Sequence, residues 1–406
     1  MFKRILSLGL AGLMLLGFLP AFAEDAPSEA SLSDLAARYG FRLGTACSGG
    51  DIQWNPNLMN LIAGQFNSMT ATNEMKAYSL LDERASRAAA DGMPVMNYTV
   101  ADRMVAWAQE HGVGIRGHVL VWDAYMNDWF FRVDFDGTKP YADSETVRAR
   151  TRYYIEQVVT HFEEAFPGVV YCWDVVNEAV GDNEGEYLPD DPRHLRTVRS
   201  GAPNLFREHL GDDYVAFAFL CARDTVEALG ADIRLYYNDY NAYFPEKRAA
   251  IVALAESVNS YADDENGAPR RLLDGIGMQG YIGGYGTQEG CLVPEHIDWI
   301  RESIEDYAAH GWEVQITEMA VRNFDIREAD RHAAFYADLF RMFASLRRED
   351  GTNPLVAVSI WGLADNPRAQ KGTYVFNLNS PFGGLVNDRL EPKDAWTQVY
   401  AVLAGE

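Results

Sequence analysis

The chain has few of the residues and motifs that mark several large classes of protein. Only four of its 406 residues are cysteines, and none of them forms a CxxC pair. This pattern indicates neither a disulfide framework nor a zinc-binding motif. The chain also lacks HExxH, a P-loop and a GxGxxG after a strand, the signatures of metalloproteases, nucleoside triphosphatases and dinucleotide-binding enzymes. We therefore predict no metal ion and no cofactor.

Basic residues are also scarce. Lysine and arginine together number 35 against 59 aspartates and glutamates, which gives a formal net charge of −24 at pH 7. Because like charges repel, this balance argues against a nucleic-acid partner. A neutral polymer such as a polysaccharide would not be repelled, although a role in solubility explains the acidity equally well.

The N-terminus has the pattern of a secretory signal. Lys3 and Arg4 precede an apolar run from Ile5 to Phe18, and Ala21-Phe22-Ala23 supplies small residues for cleavage. We predict a signal peptide over residues 1–23 and hence a secreted, extracellular protein with no membrane association after cleavage. The apolar run is short for a bilayer span, and an uncleaved anchor is the alternative.

Beyond a leader and barrel entry at residues 24–40, strand-like and helix-like segments alternate over residues 41–406. The predicted strands are short and rich in apolar and β-branched residues, as parallel strands buried on both faces are. They are Phe41–Ala46, Phe66–Thr70, Gly114–Val121, Val169–Val176, Arg234–Asn238, Gly275–Gly280, Glu313–Glu318 and Ala357–Trp361.

Helical patterns separate these strands. Thr99 is a candidate cap for a helix in which Met104, Val105 and Ala108 share one face. Further helices are predicted over Ser144–Phe166, Tyr214–Leu229, Glu246–Tyr261, Glu295–His310, Glu328–Arg348 and Lys393–Leu403. Eight strands with intervening helices, and no flexible linker or internal repeat, predict an α/β fold: a single (β/α)8 TIM-barrel catalytic domain. An open sheet with a small second domain is the alternative.

Two of the predicted strands lead into a glutamate: Trp173-Asp174-Val175-Val176-Asn177 precedes Glu178, and Ile316-Thr317 precedes Glu318. Each glutamate alone could simply meet water or an arginine at the rim. Three strands apart in a closed barrel, however, the two side chains can converge across the mouth, where the catalytic groups of such barrels lie. Glycoside hydrolysis requires two carboxyl groups that flank the bond, one protonated and one ionised.

Together with further motifs, these two segments resemble those of glycoside hydrolase family 10, whose best-known activity is endo-β-1,4-xylanase. The matching segments fall in family order and span roughly Phe41 to Leu403. They are Asn73-Glu74-Met75-Lys76, Arg116-Gly117-His118, Leu120-Val121-Trp122, Trp173 to Glu178, Tyr237-Asn238-Asp239-Tyr240-Asn241, Gly275 to Gln279, Ile316-Thr317-Glu318 and Trp361-Gly362.

The resemblance implies a retaining, double-displacement mechanism with Glu178 as the acid/base and Glu318 as the nucleophile. It also implies a set of side chains that bind the sugar, either through hydrogen bonds or as apolar walls against the pyranose rings. These are Asn73, Lys76, His118, Trp122, Asn177, Tyr240, Gln279, Tyr281 and Trp361. Apart from the resemblance, the tryptophans could belong to the core, and His118 could be a buried histidine with satisfied hydrogen bonds.

The chain departs from the family pattern at several positions. The usual Glu, Trp and His are replaced by Thr72, Ala77 and Asp123. The second tryptophan that usually follows Trp361-Gly362 in the family is absent from Leu363 to Arg368. Around the nucleophile, Tyr281 and Ala320 replace the usual His and Asp. We predict that the Tyr281 phenol donates a hydrogen bond to Glu318 and keeps it ionised. Thr72 and Ala77 should open the glycone end for a decorated or different sugar.

The sequence therefore predicts a secreted, monomeric, retaining endo-β-1,4-glycanase that binds a β-linked, xylan-like polysaccharide. One alternative is a glycosidase that acts on another β-linked or decorated glycan. A second alternative, from a different class, is a non-catalytic carbohydrate-binding descendant of the barrel. Retention of both Glu178 and Glu318 argues against binding alone, since a close carboxylate pair is costly to keep.

Overall fold

The computed structural model describes residues 30–282, 292–366 and 380–406. The predicted signal peptide, Cys291, Pro367 and Arg368 lie outside these ranges. Ser31–Glu406 group into one compact unit. Within the described part, no helix is both long enough and apolar enough to cross a membrane.

Eight parallel strands form the centre of this unit, and each overlaps a strand predicted from the sequence. Most are buried along nearly their whole length, which explains why they carry apolar runs rather than an alternating pattern. Their bounds are Arg42–Cys47 (β1), Ser68–Ala71 (β2), Gly114–Gly117 (β3), Val170–Asn177 (β4), Arg234–Asp239 (β5), Gly275–Met278 (β6), Glu313–Val321 (β7) and Leu355–Ile360 (β8).

The sheet closes on itself in sequence order. β8 pairs in parallel with β1, where Thr45 lies opposite Ile360, and also with β7, where Ile316 lies opposite Val358. The remaining neighbours pair consecutively from β1 to β7. The predicted (β/α)8 barrel is confirmed, and the open sheet is wrong because both of its would-be edges are paired.

Helices separate the strands along the chain. They are Leu32–Ala37, Gly49–Trp54, Pro56–Gln65, Ala77–Leu80, Glu83–Ala88, Thr99–Glu110, Ser144–Ala165, Leu205–Leu210, Tyr214–Leu229, Pro245–Asn259, Glu295–Ala309, Ala329–Ser345 and Asp394–Ala404. In the described ranges, four short 3-10 helices lie at Asp123–Tyr125, Asp128–Phe131, Val133–Phe135 and Ile326–Glu328. The first helix occupies part of the predicted leader and buries Leu32, Leu35 and Ala36.

One predicted detail of the helices is wrong. Thr99 is the first helical residue rather than the cap, which is Tyr98 and makes no side-chain capping bond. The Tyr98 ring instead stacks on His161, with centroids 3.6 Å apart. Met104, Val105 and Ala108 share the buried face, as predicted.

Polar side chains fill part of the barrel interior and connect neighbouring strands. Arg116 on β3 is fully buried, forms an ion pair with Asp174 on β4 and donates to Gln315 on β7 over 3.1 Å. A buried charge of this kind is tolerated only with such partners. The free thiols Cys47, Cys172 and Cys221 are also buried.

Candidate active site

The two strand-end glutamates lie in the same cleft at the carboxyl ends of the strands. Glu178 follows β4 and Glu318 lies within β7; their residues are only 9% and 6% exposed. The backbone N–H of Glu178 donates to the Asn238 carbonyl over 2.9 Å, and that of Glu318 donates to the Gln279 carbonyl over 2.8 Å. Each glutamate is therefore anchored to the neighbouring strand rather than to a loose loop.

A chain of side-chain amides connects the two carboxylates. Gln279 donates to Glu178 Oε1 over 2.9 Å and to Asn177 Oδ1 over 3.4 Å. Asn238 donates to the same Asn177 oxygen over 2.9 Å and to Glu318 Oε1 over 3.2 Å. Because one rigid network holds both groups, their relative position is fixed before any substrate binds.

The orientation of Asn238 is itself determined. The Thr317 hydroxyl donates to Asn238 Oδ1 over 2.7 Å, which turns the amide nitrogen toward Asn177 and Glu318. Gly277 on β6 makes room for this arrangement, because a Cβ at that position would lie 2.5 Å from the same Asn238 oxygen. Asn238 was part of a matching segment but not among the predicted site residues.

The side chains that donate hydrogen bonds to the Glu318 carboxylate are neutral. Besides Asn238, the Tyr281 hydroxyl donates to its second carboxylate oxygen. Ala320 lies opposite Tyr281 in a short parallel pairing and packs against it, with Tyr240 and Trp361 alongside. The two departures at 281 and 320 are therefore in contact, because the small side chain of Ala320 leaves room for the phenol ring.

Glu178 has charged neighbours instead. Arg199 Nη1 lies 3.0 Å from Glu178 Oε2, and Nη2 donates to the Glu178 carbonyl over 2.9 Å. The same guanidinium donates twice to Asp123, over 2.9 and 2.8 Å. These bonds and the nearby carboxylates raise the pKa of Arg199 against the opposing effect of burial. Sequence reasoning missed Arg199, since it lies 21 residues beyond Glu178 in no recognisable motif.

His118 is oriented from below by the buried ion pair. Its Nδ1 lies 2.7 Å from the Asp174 carboxylate that also pairs with Arg116, and the residue is 2% exposed. Since a carboxylate only accepts hydrogen bonds, Nδ1 carries the proton, and Nε2 is left as an acceptor in the neutral ring. His118 is thus a buried, oriented histidine and not a solvated one.

Lys76 and Asn73 lie on the other side of the cleft. Lys76 Nζ donates to Asn73 Oδ1 over 3.1 Å, and Lys76 is 7% exposed while Asn73 is open to solvent. Burial lowers the pKa of the Lys76 ammonium, and the charges of Glu318, Glu178 and Glu74 oppose that shift. The ammonium therefore sits close to both glutamates and balances part of their charge.

Aromatic rings line the cleft. Trp122 and Trp361 flank His118, with ring centroids 6.1 and 6.5 Å from the imidazole. Tyr125 packs on Trp122 at 4.4 Å, and its ring lies 5.0 Å from Lys76 Nζ. Trp122 is 9% exposed, and its indole N–H has no hydrogen-bond partner within the described structure. Tyr240 accepts a hydrogen bond from Arg196 over 3.0 Å.

The two substitutions expected to open the glycone end differ in their surroundings. Thr72 lines a cavity of about 670 Å³ together with Asn73, Trp361 and Asn366. Ala77, in contrast, is 3% exposed, so the expectation that it leaves open space is wrong. The aromatic residue that follows it, Tyr78, packs against Tyr125 with ring centroids 5.4 Å apart, and Tyr125 in turn packs on Trp122.

Paired carboxylates, amide donors and flat aromatic surfaces in one cleft suit the hydrolysis of a glycosidic bond, which needs an acid and a nucleophile or base with sugar hydroxyls held between them. Within the described residues, no cluster of His, Cys, Asp and Glu could hold a metal ion. Fold and site together define a glycoside hydrolase on a (β/α)8 barrel.

Comparison with known proteins identifies the family. The sequence profile of Glycosyl hydrolase family 10 matches residues 31–402. The chain is 30% identical over 339 residues to an endo-1,4-β-xylanase of Geobacillus stearothermophilus, covering 80% of this chain and 85% of that protein. It is 33% identical to endo-1,4-β-xylanase A of Thermotoga maritima, covering 77% of this chain but only 26% of that longer protein.

A solved structure agrees. The CBM22-1–GH10 modules of the Clostridium thermocellum N-terminal endo-1,4-β-D-xylanase 10B, complexed with xylohexaose, align with a TM-score of 0.76 at 26% identity. The alignment covers 92% of this chain and 68% of that one. The chain belongs to glycosyl hydrolase family 10, as the sequence motifs predicted.

Proposed function

We propose that this protein hydrolyses internal β-1,4 bonds of a xylan-like polysaccharide with retention of anomeric configuration. The observation that carries the proposal is the amide network that holds Glu178 and Glu318 in one cleft. Family membership supports it, because relatives named endo-1,4-β-xylanase share most of the chain and one related structure holds xylohexaose.

In the first step, the Glu318 carboxylate attacks the anomeric carbon while protonated Glu178 gives its proton to the departing glycosidic oxygen. The bond to the leaving group breaks, and a glycosyl ester forms on Glu318. In the second step, Glu178, now ionised, takes a proton from water, whose oxygen attacks the same carbon and releases Glu318. Two inversions give net retention.

Other residues of the cleft are suited to hold the sugar. Asn177 Nδ2 is buried without a partner in the described structure, so it can donate to a hydroxyl next to the reacting carbon. Such a bond strengthens in the transition state. His118 Nε2 can accept from a hydroxyl, and Lys76 and Asn73 can donate to others. Trp122 and Trp361 offer flat apolar faces for pyranose rings.

The assignment of the nucleophile has a direct test. A 2-fluoro xylobioside with a good leaving group should inactivate the enzyme, and peptide mass spectrometry should find the sugar ester on Glu318. Glu318→Gln is the matched control and should take no label. Labelling of another residue, or hydrolysis of the inhibitor without any trapping, would contradict the assignment.

The cavity beside Thr72 favours a substrate with a side chain at the glycone end. Its volume of about 670 Å³ is large enough for a further sugar unit, and polar groups such as Asn73 and Asn366 line it. We therefore expect decorated xylan to be hydrolysed more efficiently than linear xylo-oligomers. A screen of linear xylan, decorated xylan and mixed-linkage glucan with reducing-end detection, beside a Glu178→Ala control, decides between these glycans and a protein that only binds.

Secretion is part of the same proposal and rests on the N-terminal pattern of Lys3, Arg4 and the following apolar run. Expression of the full chain in a secreting host should yield an extracellular protein whose first residue is Glu24. We expect that protein to be a monomer by light scattering. An N-terminus still at Met1 in the membrane fraction would favour the uncleaved anchor.

A further inference from the structure

The contact between Arg199 and Glu178 has a consequence for the acid/base. Arg199 lies in a two-stranded turn formed by Val198–Arg199 and Ala202–Pro203, in the segment that connects β4 to the next helices. Its side chain is 22% exposed, and those of Asp123 and Glu178 are 6% and 11% exposed. The ion pair is therefore largely shielded from water. Charge interactions are stronger in such shielded surroundings than in bulk water.

Asp123 fixes the guanidinium in the plane needed for this contact. Its two oxygens accept from Arg199 Nε and Nη2 over 2.9 and 2.8 Å, a bidentate arrangement. Nη1 is then left to contact Glu178 Oε2 at 3.0 Å. Asp123 is also a position at which the chain departs from the family pattern, which relates the substitution to the ion pair.

The same guanidinium supports the backbone of Glu178. This residue has a φ of 55°, in the left-handed region that non-glycine residues seldom adopt. Arg199 Nη2 and Arg196 Nε donate to its carbonyl over 2.9 and 3.2 Å. Arg199 thus holds both the carboxylate and the backbone carbonyl of Glu178.

We propose that Arg199, held by Asp123, is a positioning residue for Glu178 that pins one carboxylate oxygen and favours the ionised form. The inference rests on the proposed acid/base role of Glu178. An ionised, fixed carboxylate is what the second step requires, because there Glu178 removes a proton from water. The first step requires the protonated form, so Arg199 limits acid catalysis as the pH rises.

Other charged or titratable groups also face Glu178 and contribute to its charge balance. In the described structure these include Arg196, Lys76, Tyr125, Asp123, Asp239 and Glu318. Lys76 and Arg196 contribute positive charge near Glu178, whereas Asp123, Asp239 and Glu318 contribute negative charge. Arg199 is the cation that bonds to the carboxylate itself, so its removal should dominate the response.

The kinetic test uses Arg199→Met, which keeps an unbranched apolar stem and removes the charged guanidinium. The upper limb of the kcat/KM–pH profile should move to higher pH by about one unit, as expected for loss of an opposite charge within hydrogen-bond distance. With 2,4-dinitrophenyl β-xylobioside, whose departure needs no acid, kcat should fall several-fold. With phenyl β-xylobioside at high pH, kcat/KM should rise relative to the dinitrophenyl substrate.

Arg193→Met is the matched control. Arg193 lies in the same segment as Arg199, pairs with Asp191 and does not contact Glu178. The pH profile and leaving-group dependence of this control should equal those of the wild type, and Arg199→Lys should restore part of the wild-type profile. Identical profiles for wild type, Arg199→Met and Arg193→Met would overturn the inference.

A second measurement separates failure of the inference from failure of the proposed function. In protein labelled with 13C-glutamate, the Glu178 carboxyl resonance, assigned with Glu178→Gln, should titrate at higher pH in Arg199→Met than in wild type. This result does not depend on turnover. If the wild type hydrolyses no aryl xyloside, the proposed function is wrong, while the NMR shift still supports or overturns the role of Arg199.

Discussion

β4 and β7 each bring a buried glutamate to the cleft, and Lys76 lies near both, yet the side chains that bond to the two carboxylates differ in charge. Glu178 contacts the guanidinium of Arg199, which is neutralised in part by Asp123. Glu318 accepts only from the neutral Asn238 amide and Tyr281 hydroxyl among the bonds described above. The difference suits different duties, since an acid/base must change its protonation state in every cycle and a nucleophile must remain ionised.

The comparison also shows how a site tolerates lost family residues. At β7 two departures, Tyr281 and Ala320, touch each other and preserve a hydrogen bond to Glu318. At β4 one departure, Asp123, instead recruits a cation from a distant turn. The neutral pair Tyr281 and Ala320 places no charge next to Glu318, whereas the recruited ion pair places charge next to the acid/base.

The largest expected effect separates the two glutamates by their chemistry. Glu178→Ala should lower kcat/KM on phenyl β-xylobioside by about 10²–10⁴-fold, the usual range for loss of a general acid. Azide should rescue it on the dinitrophenyl substrate and give the β-azide. Glu318→Ala should lose at least as much activity and give the α-azide, because azide then attacks once, with inversion. Exchanged products, read by proton NMR, would reverse the assignment.

A buried histidine, His332, contacts the backbone at the end of β7. Its Nε2 lies 3.0 Å from the Val321 carbonyl at the end of β7, and burial lowers the pKa of His332 to about 4, with Lys393 adding to the shift and the Val321 bond opposing it. An unfolded histidine titrates near pH 6.5, so the neutral ring stabilises the fold above that pH. The stabilisation is lost as the pH falls toward 4, by about 3 kcal/mol in all.

Urea unfolding at pH 7 and pH 4.5 measures this contribution. The wild type should lose more stability on acidification than His332→Gln, whose amide can still donate to the Val321 carbonyl but cannot gain a proton. Equal losses in the two proteins would show that His332 does not titrate as its burial requires.

The hydrogen bond from Tyr281 should contribute less than a catalytic group but more than a distal contact. Tyr281→Phe removes one donor to a buried carboxylate and should lower kcat/KM by roughly thirtyfold, or about 2 kcal/mol. Steady-state kinetics on aryl xylobiosides measure the loss.

Because Tyr281 and Ala320 are in contact, a double-mutant cycle at these two positions serves as the control for that experiment. Tyr281→His and Ala320→Asp should each impair the enzyme, and the double variant should recover activity, since the smaller ring makes room for the carboxylate. Additive losses in this cycle would mean that the two positions are independent.

The smallest effect is expected at the glycone end, beside Thr72. Thr72→Glu restores the carboxylate that the family usually has and should lower KM on linear xylo-oligomers roughly fivefold, or about 1 kcal/mol, with kcat unchanged. Thr72→Val, which removes only the hydroxyl, is the control and should not gain affinity. No change in KM for the glutamate variant would indicate that the cavity does not receive the linear chain.

The sequence by itself determined the succession of strands and helices and the position of the glutamates along it. Short apolar strands alternating with helices indicate a parallel α/β fold, and residues that follow a strand, such as Glu178, are placed wherever the strand is placed. The pairing of β8 with β1, which closes the barrel, is a tertiary contact. The bounds of the seven predicted helices followed from periodicity to within a few residues, whereas the shorter helices such as Glu83–Ala88 and Leu205–Leu210 were not predicted. Thr99 was misassigned because the stacking of Tyr98 on His161, a tertiary contact, sets where that helix begins.

Only the tertiary structure decided what surrounds each glutamate. Arg199, which bonds to Glu178, and Asp123, which holds Arg199, are 76 residues apart in sequence, and no local pattern relates them. The same holds for Asn238, which lies 80 residues from Glu318, and the burial of Ala77 was likewise not visible in the sequence. Residue type and spacing report local geometry, whereas the charge next to a carboxylate depends on which distant segments fold against it.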